Sequence, residues 1–337
     1  MVGVKPNGSV KIAILGAGAL GHAWSKVVDA DPGARLAAII DPLVGTEAAP
    51  AWIDEHPDVP RARSLGELGL VSLDAAVVTA FSPAHADAIR AALEHGLHVI
   101  VEKPFTTSLD DAHALVELAA RRGLTLMVSQ NYRHFPGVAT LRNLVAGERF
   151  GRIRSVAGAF SYDWAGKPYQ HRMQHVMGLE MAVHHFDLVR ALFDADPVTG
   201  FVREWNSEGS QYAGGGGLEA LFEMASPRDA FPFVYSGSLI GKAPPTPWGG
   251  NWRFEFDQAT LIVDTIDGRY GIYQAHAKGH DWIAPFADEI RFDGAFSHFL
   301  ASLAAGREPW SSGRDNLGTL RMALGFLVGT DARRRAA

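Results

Sequence analysis

The 337-residue chain contains no cysteine. That excludes a disulfide framework, a thiol nucleophile and any cysteine-ligated metal site. No apolar stretch approaches the ~20 residues a membrane-spanning helix needs. Nor is there an excess of positive charge: Lys and Arg number 31 against 37 Asp and Glu, a net of −6, which argues against a nucleic-acid face. The only basic block is Arg333, Arg334 and Arg335, read as a solvated helix end. A serine-hydrolase GxSxG elbow is missing as well. The opening MVGVKPNGSVKIAILGAG runs from a short apolar stretch into glycines, unlike the layout of a signal peptide. The expectation is a soluble cytoplasmic protein with no nucleic-acid or membrane partner.

What is present alternates. Short continuous apolar runs fall at 10–15, 36–40, 73–80, 98–101 and 124–129. Helix-like stretches separate them at 19–29, 83–95 and 109–122, with Gly96 and Gly123 where helix ends want glycine. This predicts a parallel sheet covered on both faces. After about Arg133 the texture changes. A helix over 138–146 leads into long strand-like runs, among them VTGFVREW, LEALFEMA, FPFVYSGSLIG, WRFEFDQATLIVDT and RYGIYQAH. Glycine-rich turns such as Gly214–Gly217 join them, so an antiparallel sheet is expected. Helices are expected over 179–193, 286–305 and 314–330. The predicted fold is α/β: a nucleotide-type domain with a parallel sheet over 1–131, then an α+β domain over 132–337.

Between the first strand and first helix stands Gly16-Ala17-Gly18-Ala19-Leu20-Gly21. In that context the glycines serve a tight turn, close approach of backbone to a pyrophosphate, and close helix–strand packing. The helix N-terminus beyond them presents amides to the anion. The second strand ends at Asp41, whose carboxylate can accept hydrogen bonds from a ribose diol and repels a 2′-phosphate. No Arg or Lys follows in Pro42-Leu43-Val44. NAD is therefore expected in preference to NADP.

Ligands of such sheets bind at the carboxyl ends of the strands. Three groups of residues fall there: Thr79–Ser82, Glu102-Lys103-Pro104, and Gln130-Asn131-Tyr132. Pro104 pushes Lys103 towards extended backbone and restricts where its amine points. Beside an oxidised nicotinamide, ring and burial both oppose the ammonium charge, so this lysine can take a proton from an alcohol. Further on, Glu180 and His184 stand four apart on an expected helix, so a carboxylate and an imidazole can meet one substrate. His185 and Asp187 point elsewhere, Asp187 as a helix anchor.

In order and spacing these motifs resemble the glucose–fructose oxidoreductase / inositol dehydrogenase / MocA family, over nearly the whole chain. The resemblance includes the GAGALG turn, the run Val77–His85, the EKP triplet, QNYR at 130–133, the His184 helix and the closing GREPWSSGRDNLGTLRMAL. It implies an N-terminal Rossmann domain and a second domain with a large open, mostly antiparallel sheet, used to form a dimer or tetramer. It also implies that Lys103 is the catalytic lysine and His184 assists proton transfer. Where Glu180 stands the family often has Asp, and the extra methylene shifts the carboxylate against the substrate.

The expected site is thus Lys103, His184 and Glu180 for catalysis. The cofactor falls to Gly16, Ala17, Gly18, Ala19, Leu20, Gly21, Asp41, Thr79, Ser82, His85, Glu102, Lys103, Gln130 and Asn131. Substrate contacts fall to Lys103, Tyr132, Arg172, Glu180, His184 and His185. No metal is expected, because His171 and His175 lack an assignable third ligand. Trp164, Trp248 and Trp252 can stack on sugar faces, although core packing is the commoner use of tryptophan. The expected activity is NAD-dependent oxidation of a secondary alcohol, or reduction of a ketone, on a sugar, cyclitol or related polyol. The alternatives are an NAD-dependent glycosidase of the same family and a non-catalytic NAD-binding regulator.

Overall fold

The computed structural model describes residues 9–147, 149–286 and 291–328. The chain divides into two units: residues up to Asn131 with Arg291–Leu317, and Tyr132–Ile290 with the residues from Gly318 on. In the first unit the apolar runs form β1 (Val10–Leu15), β2 (Ala34–Ile40), β4 (Ala75–Val78), β5 (His98–Glu102) and β6 (Leu126–Ser129). A further strand, β3 (Arg61–Ala62), is too short and polar to announce itself in the sequence. Their order is β3-β2-β1-β4-β5-β6, every pair parallel. Every residue of β4 and β6 is buried, as a sheet covered on both faces requires. The order reverses between β1 and β4, which sets the ligand crevice at their carboxyl ends.

Helices α1 (Ala19–Ala30), α2 (His85–Glu94) and α3 (Leu109–Arg122) make the crossovers. Helix α1 buries Gly21, Trp24, Ser25 and Val28, the spacing of one helical face. Ser108 caps α3 by accepting the Asp111 amide, Asp110 and Asp111 open it, Arg121 and Arg122 close it, and Gly123 ends it at φ 65°. Each of these choices favours helix.

The second unit carries α4 (Pro136–Ala146), β7 (Ile153–Ser161), α5 (Val183–Phe193), β8 (Asp196–Trp205), β9 (Gly217–Ala225) and β10 (Ala230–Ser238). It continues with β11 (Asn251–Phe256), β12 (Thr260–Ile266), β13 (Arg269–His276) and β14 (Gly279–Pro285). The sheet order is β14-β13-β12-β11-β7-β10-β9-β8. Only β7 and β10 run parallel; all other neighbours are antiparallel. The run expected as one strand over 252–265 folds back on itself, with Phe256 N–H bonded to Ala259 O and Trp252 facing Val263. Helix α5 is buried along its whole length, and Phe186 meets Phe222 and Tyr235 of the sheet, each at 5.3 Å. Strict alternation along β9 and β10 puts apolar side chains on both faces. Val198, Phe201, Leu221 and Val234 lie on the outer face, 48–57% exposed.

Two expectations about the C-terminal part change. Helix α6 (Asp293–Ala305) was assigned to the second domain, but it belongs to the first unit. The reason is packing: Ala295, Phe296, Phe299 and Leu303 complete the core that holds Ile12, Ile14, Trp24 and Val28. The expected helix start at 286 moves to Asp293, and residues 287–290 lie outside the described ones. Helix α7 (Gly313–Leu324) contains the division between the units, after Leu317. Its expected end at Thr330, and the arginines at 333–335, lie outside the described residues. No helix among the described residues is long and apolar enough to cross a membrane.

Candidate active site

In the first unit the site grows from the turn after β1. Gly16 sits at φ +104°, and a Cβ there would strike the Ala80 backbone; a Cβ on Gly21 would strike the Gly16 carbonyl oxygen. Only glycine permits the turn and the close approach of α1 to β1. In front of Gly18, by contrast, a Cβ would meet nothing within 4 Å. Helix α1 has no side-chain cap and no acidic residue in its first turn, so its amides face an open, electropositive end. Asp41 closes the turn: Oδ2 accepts the Ala17 amide at 2.7 Å and Oδ1 accepts the Leu43 amide at 2.9 Å. Each oxygen retains a second acceptor position. Trp52, which sequence reasoning did not single out, donates its indole N–H to Ala17 O at 2.7 Å and stacks on His22 at 5.3 Å. Thr79 hydroxyl donates to Gly16 O at 2.6 Å, tying the end of β4 to the same turn.

Lys103, half-buried, follows β5, and its peptide bond to Pro104 is cis. Beneath it Glu102 is buried. Its Oε1 accepts the Trp24 indole N–H at 2.7 Å and its Oε2 the Lys103 amide at 3.2 Å. Burial pushes the Glu102 carboxyl above the usual carboxylate range, against the pull of Trp24 and of the Lys103 charge. No sequence signal marks Trp24, which reads as an ordinary core residue of α1. His85, 1% exposed, places Nδ1 at 2.7 Å from Pro104 O and Nε2 at 2.9 Å from Ala80 O. It therefore ties the loop after β4 to the loop after β5. Ser82, after β4, and Asn131, after β6, are buried. Gln130, 1% exposed, has no partner among the described residues for either Nε2 or Oε1.

A dinucleotide fits these residues. The glycine turn leaves room and free amides for a pyrophosphate, Asp41 retains acceptor positions for a ribose diol, and the buried amide of Gln130 wants a polar partner.

In the second unit, Tyr132 is nearly inaccessible and its ring lies on His184 at 4.4 Å and 14°. His184 is the second residue of α5, and the helix expected from Leu179 opens instead with a π-helical stretch, Met177–Ala182, that carries Glu180. Such stretches recur at functional sites. Glu180 is half-buried and Arg172 exposed. His185 is fully buried between Tyr235 Oη (2.7 Å from Nδ1) and Trp248 O (3.1 Å from Nε2), and burial lowers its pKa to about 4. That is the environment of a packing group. Asp187 does anchor the helix: both its oxygens take the Arg133 guanidinium at 2.7 Å, each group 1% exposed, and Thr319 donates to Oδ1 at 3.0 Å. His175, singled out with His171, pairs instead with Glu204 at 2.8 Å, and that hydrogen bond holds its pKa above the ordinary value. Among the described residues no three or more His, Asp or Glu side chains gather as a metal site would need.

Residues 10–130 match a family model described as an oxidoreductase family with an NAD-binding Rossmann fold, and residues 138–223 match one described as the GFO/IDH/MocA C-terminal domain. Scyllo-inositol 2-dehydrogenase (NAD(+)) of Bacillus subtilis is 29% identical over 89% of this chain and 88% of its own. Myo-inositol dehydrogenase Hyg17 of Streptomyces leeuwenhoekii is 33% identical over 54% of this chain and 55% of its own. The chain spans about half the length of two of the curated relatives it matches, the Streptomyces protein among them. An Agrobacterium radiobacter oxidoreductase, solved with NAD+, L-tartaric acid and magnesium, shares the fold at a TM-score of 0.79, with 20% identity over 94% of both chains.

Proposed function

Because this chain belongs to the GFO/IDH/MocA oxidoreductase family, we propose that it is an NAD-dependent dehydrogenase of a sugar, cyclitol or related polyol. One observation carries the reading. The phosphate turn at Gly16–Gly21, the amide of Gln130, unpartnered among the described residues, and a half-buried lysine after β5 all belong to the carboxyl edge of one parallel sheet. A nucleotide fold used only for sensing has no need of that lysine.

Bound there, NAD supplies the hydride acceptor. Gly16, Ala17, Gly18, Ala19, Leu20 and Gly21 hold its pyrophosphate, and Asp41 its adenosine ribose. Lys103 takes the hydroxyl proton as the alcohol carbon is oxidised and returns it in the reverse direction. Glu102 fixes the Lys103 backbone from below through its bond to the amide. His184, held flat against Tyr132, and Glu180 orient the substrate hydroxyls. His185 takes no part in proton exchange, because a fully buried imidazole bonded on both nitrogens has no route to a substrate. The proposal includes a homo-oligomer built on the outer face of the eight-stranded sheet, where four large apolar side chains are exposed.

The test is a screen of free sugars, cyclitols and sugar acids with NAD, following NADH absorbance, on the wild type and Lys103→Met. One NADH per ketone formed is expected. The variant should lose on the order of 10²–10⁴ in rate while NAD affinity stays within a few-fold, since binding rests on the glycine turn. An active Lys103→Met protein removes the lysine from the mechanism. Glycoside cleavage at constant NADH overturns the dehydrogenase in favour of a redox-assisted glycosidase.

A further inference from the structure

Resting on the proposed polyol oxidation, we infer that Trp248 selects a ring-shaped substrate by stacking against the C–H face of a pyranose or cyclitol. Three of the eight tryptophans are core residues: Trp24, Trp52 and Trp252 are 0%, 7% and 3% exposed. Trp164 and Trp248 are not; both stay half-exposed, as does Tyr162. Trp248 lies on Tyr162 at 4.7 Å and 23°, and Trp164 stands against it at 5.3 Å and 84°. The three rings make an aromatic corner, one plane flat and one upright.

The corner is held rigidly. Trp164 N–H donates to Leu239 O at 3.0 Å, and Trp164 O accepts the Tyr212 hydroxyl at 2.5 Å and the Gln211 amide at 2.7 Å. It is also tied to His184, proposed above to orient the substrate. Trp248 O accepts the Tyr132 hydroxyl at 3.0 Å and the His185 Nε2–H at 3.1 Å, and the Tyr132 ring is the one that lies on His184. One carbonyl thus supports both the aromatic corner and the stack beneath the imidazole.

The chemistry of the corner separates two classes of polyol. A pyranose or a cyclitol has a face where several axial C–H bonds point the same way, and that face is complementary to an indole π surface. An open-chain alditol or a small dicarboxylate has no such face and would have to order its chain to imitate one. Carboxylate recognition also wants cationic groups, and the corner itself supplies none.

The experiment uses the full-length, NAD-loaded protein and ligand-observed saturation-transfer NMR. Myo-inositol, D-glucose and D-xylose serve as ring probes and sorbitol as the open-chain probe, with wild type, Trp248→Leu and Trp248→Phe compared. In the wild type, saturation should concentrate on the C–H protons of one ring face for at least one ring probe. Trp248→Leu should weaken that pattern by about fivefold or more, the loss of one aromatic contact, and Trp248→Phe should retain most of it. Circular dichroism and NAD affinity report whether each variant is folded. Binding of no ring probe, an even saturation pattern in the wild type, or an unchanged pattern in folded Trp248→Leu would overturn the inference. Face-specific binding without any NADH production would sink the dehydrogenase reading and leave this one standing.

Discussion

His185 offers a sharp test of how the second unit is built. Its ring is fully buried, 5.4 Å from Trp252, 5.5 Å from Phe160 and Tyr235, and 5.9 Å from Tyr132. Burial also holds the Tyr235 phenol well above its ordinary pKa, so its O–H donates to Nδ1 while Nε2–H donates to Trp248 O. A neutral ring satisfies both neighbours; a protonated one places a charge in an aromatic cage and leaves two donors facing each other. The folded pKa is lowered from 6.5 to about 4. Below pH 6.5 the unfolded chain binds a proton that the folded chain refuses until about 4. Stability from this group is therefore complete above 6.5 and falls as pH drops, by about 1.4 kcal/mol per pH unit. Over the whole interval the loss is about 3 kcal/mol. His185→Gln keeps one donor and one acceptor but cannot titrate. It should be less stable than wild type at pH 7.5, and the gap should shrink by about 2–3 kcal/mol by pH 4.5 in urea unfolding followed by near-ultraviolet circular dichroism. A gap that does not change with pH, or an NMR titration of His185 near 6.5, would refute the buried neutral ring and restore its reading as a substrate residue.

Two further outcomes are expected. Asp41→Ser removes the acceptor for the ribose and the bond to the Ala17 amide, so NAD affinity should fall about tenfold or more and preference over NADP should shrink; an unchanged NAD/NADP ratio by isothermal titration would show that another residue reads the ribose. Leu221→Glu together with Val234→Glu places two charges on the exposed sheet face, so light scattering should report a smaller assembly than wild type; equal mass for both would move the interface elsewhere.

The first unit was legible because each of its strands except β3 is a largely apolar run closed by a residue type with a single physical use. Gly16 and Gly21 are fixed by backbone approach, Gly123 by its positive φ, and Ser108 by its cap, and all of these are local choices. The second unit was legible in type but not in detail. Alternation in LEALFEMA and FPFVYSGSLIG predicts strands with one face buried. No local rule tells that β7 pairs β10 in parallel, because that register is set by residues some 80 positions apart. The hairpin at 257–259 was hidden for a similar reason: DQA carries no glycine or proline to mark the turn, and apolar residues continue on both sides. Helix α6 shows the same limit at the level of domains. Its sequence says only that it is apolar; that its face completes the core around Trp24 is a fact about another part of the chain.

The candidate site divides along the same line, between residues whose role is written in their neighbours and residues whose role depends on a distant partner. Asp41 could be read from its place after β2, and the structure adds that the same carboxylate also locks the phosphate turn through Ala17. Glu102, read from its triplet as a cofactor contact, turns out to spend one oxygen on Trp24 and the other on the Lys103 amide. That arrangement makes it a brace for the lysine rather than a free acceptor. His184 and His185 are adjacent in sequence and nearly alike in composition of surroundings, yet they part completely. His184 lies on Tyr132, whose hydroxyl holds Trp248 O, while His185 uses that same carbonyl from inside the sheet. Helical geometry accounts for the split, since consecutive residues point about 100° apart and only one of two neighbours can face the core squarely. Both are buried, and sequence alone could say only that one of the pair faces the sheet. Which one required the aromatic residues of β10 and β11 to be placed, and they are brought there by the sheet.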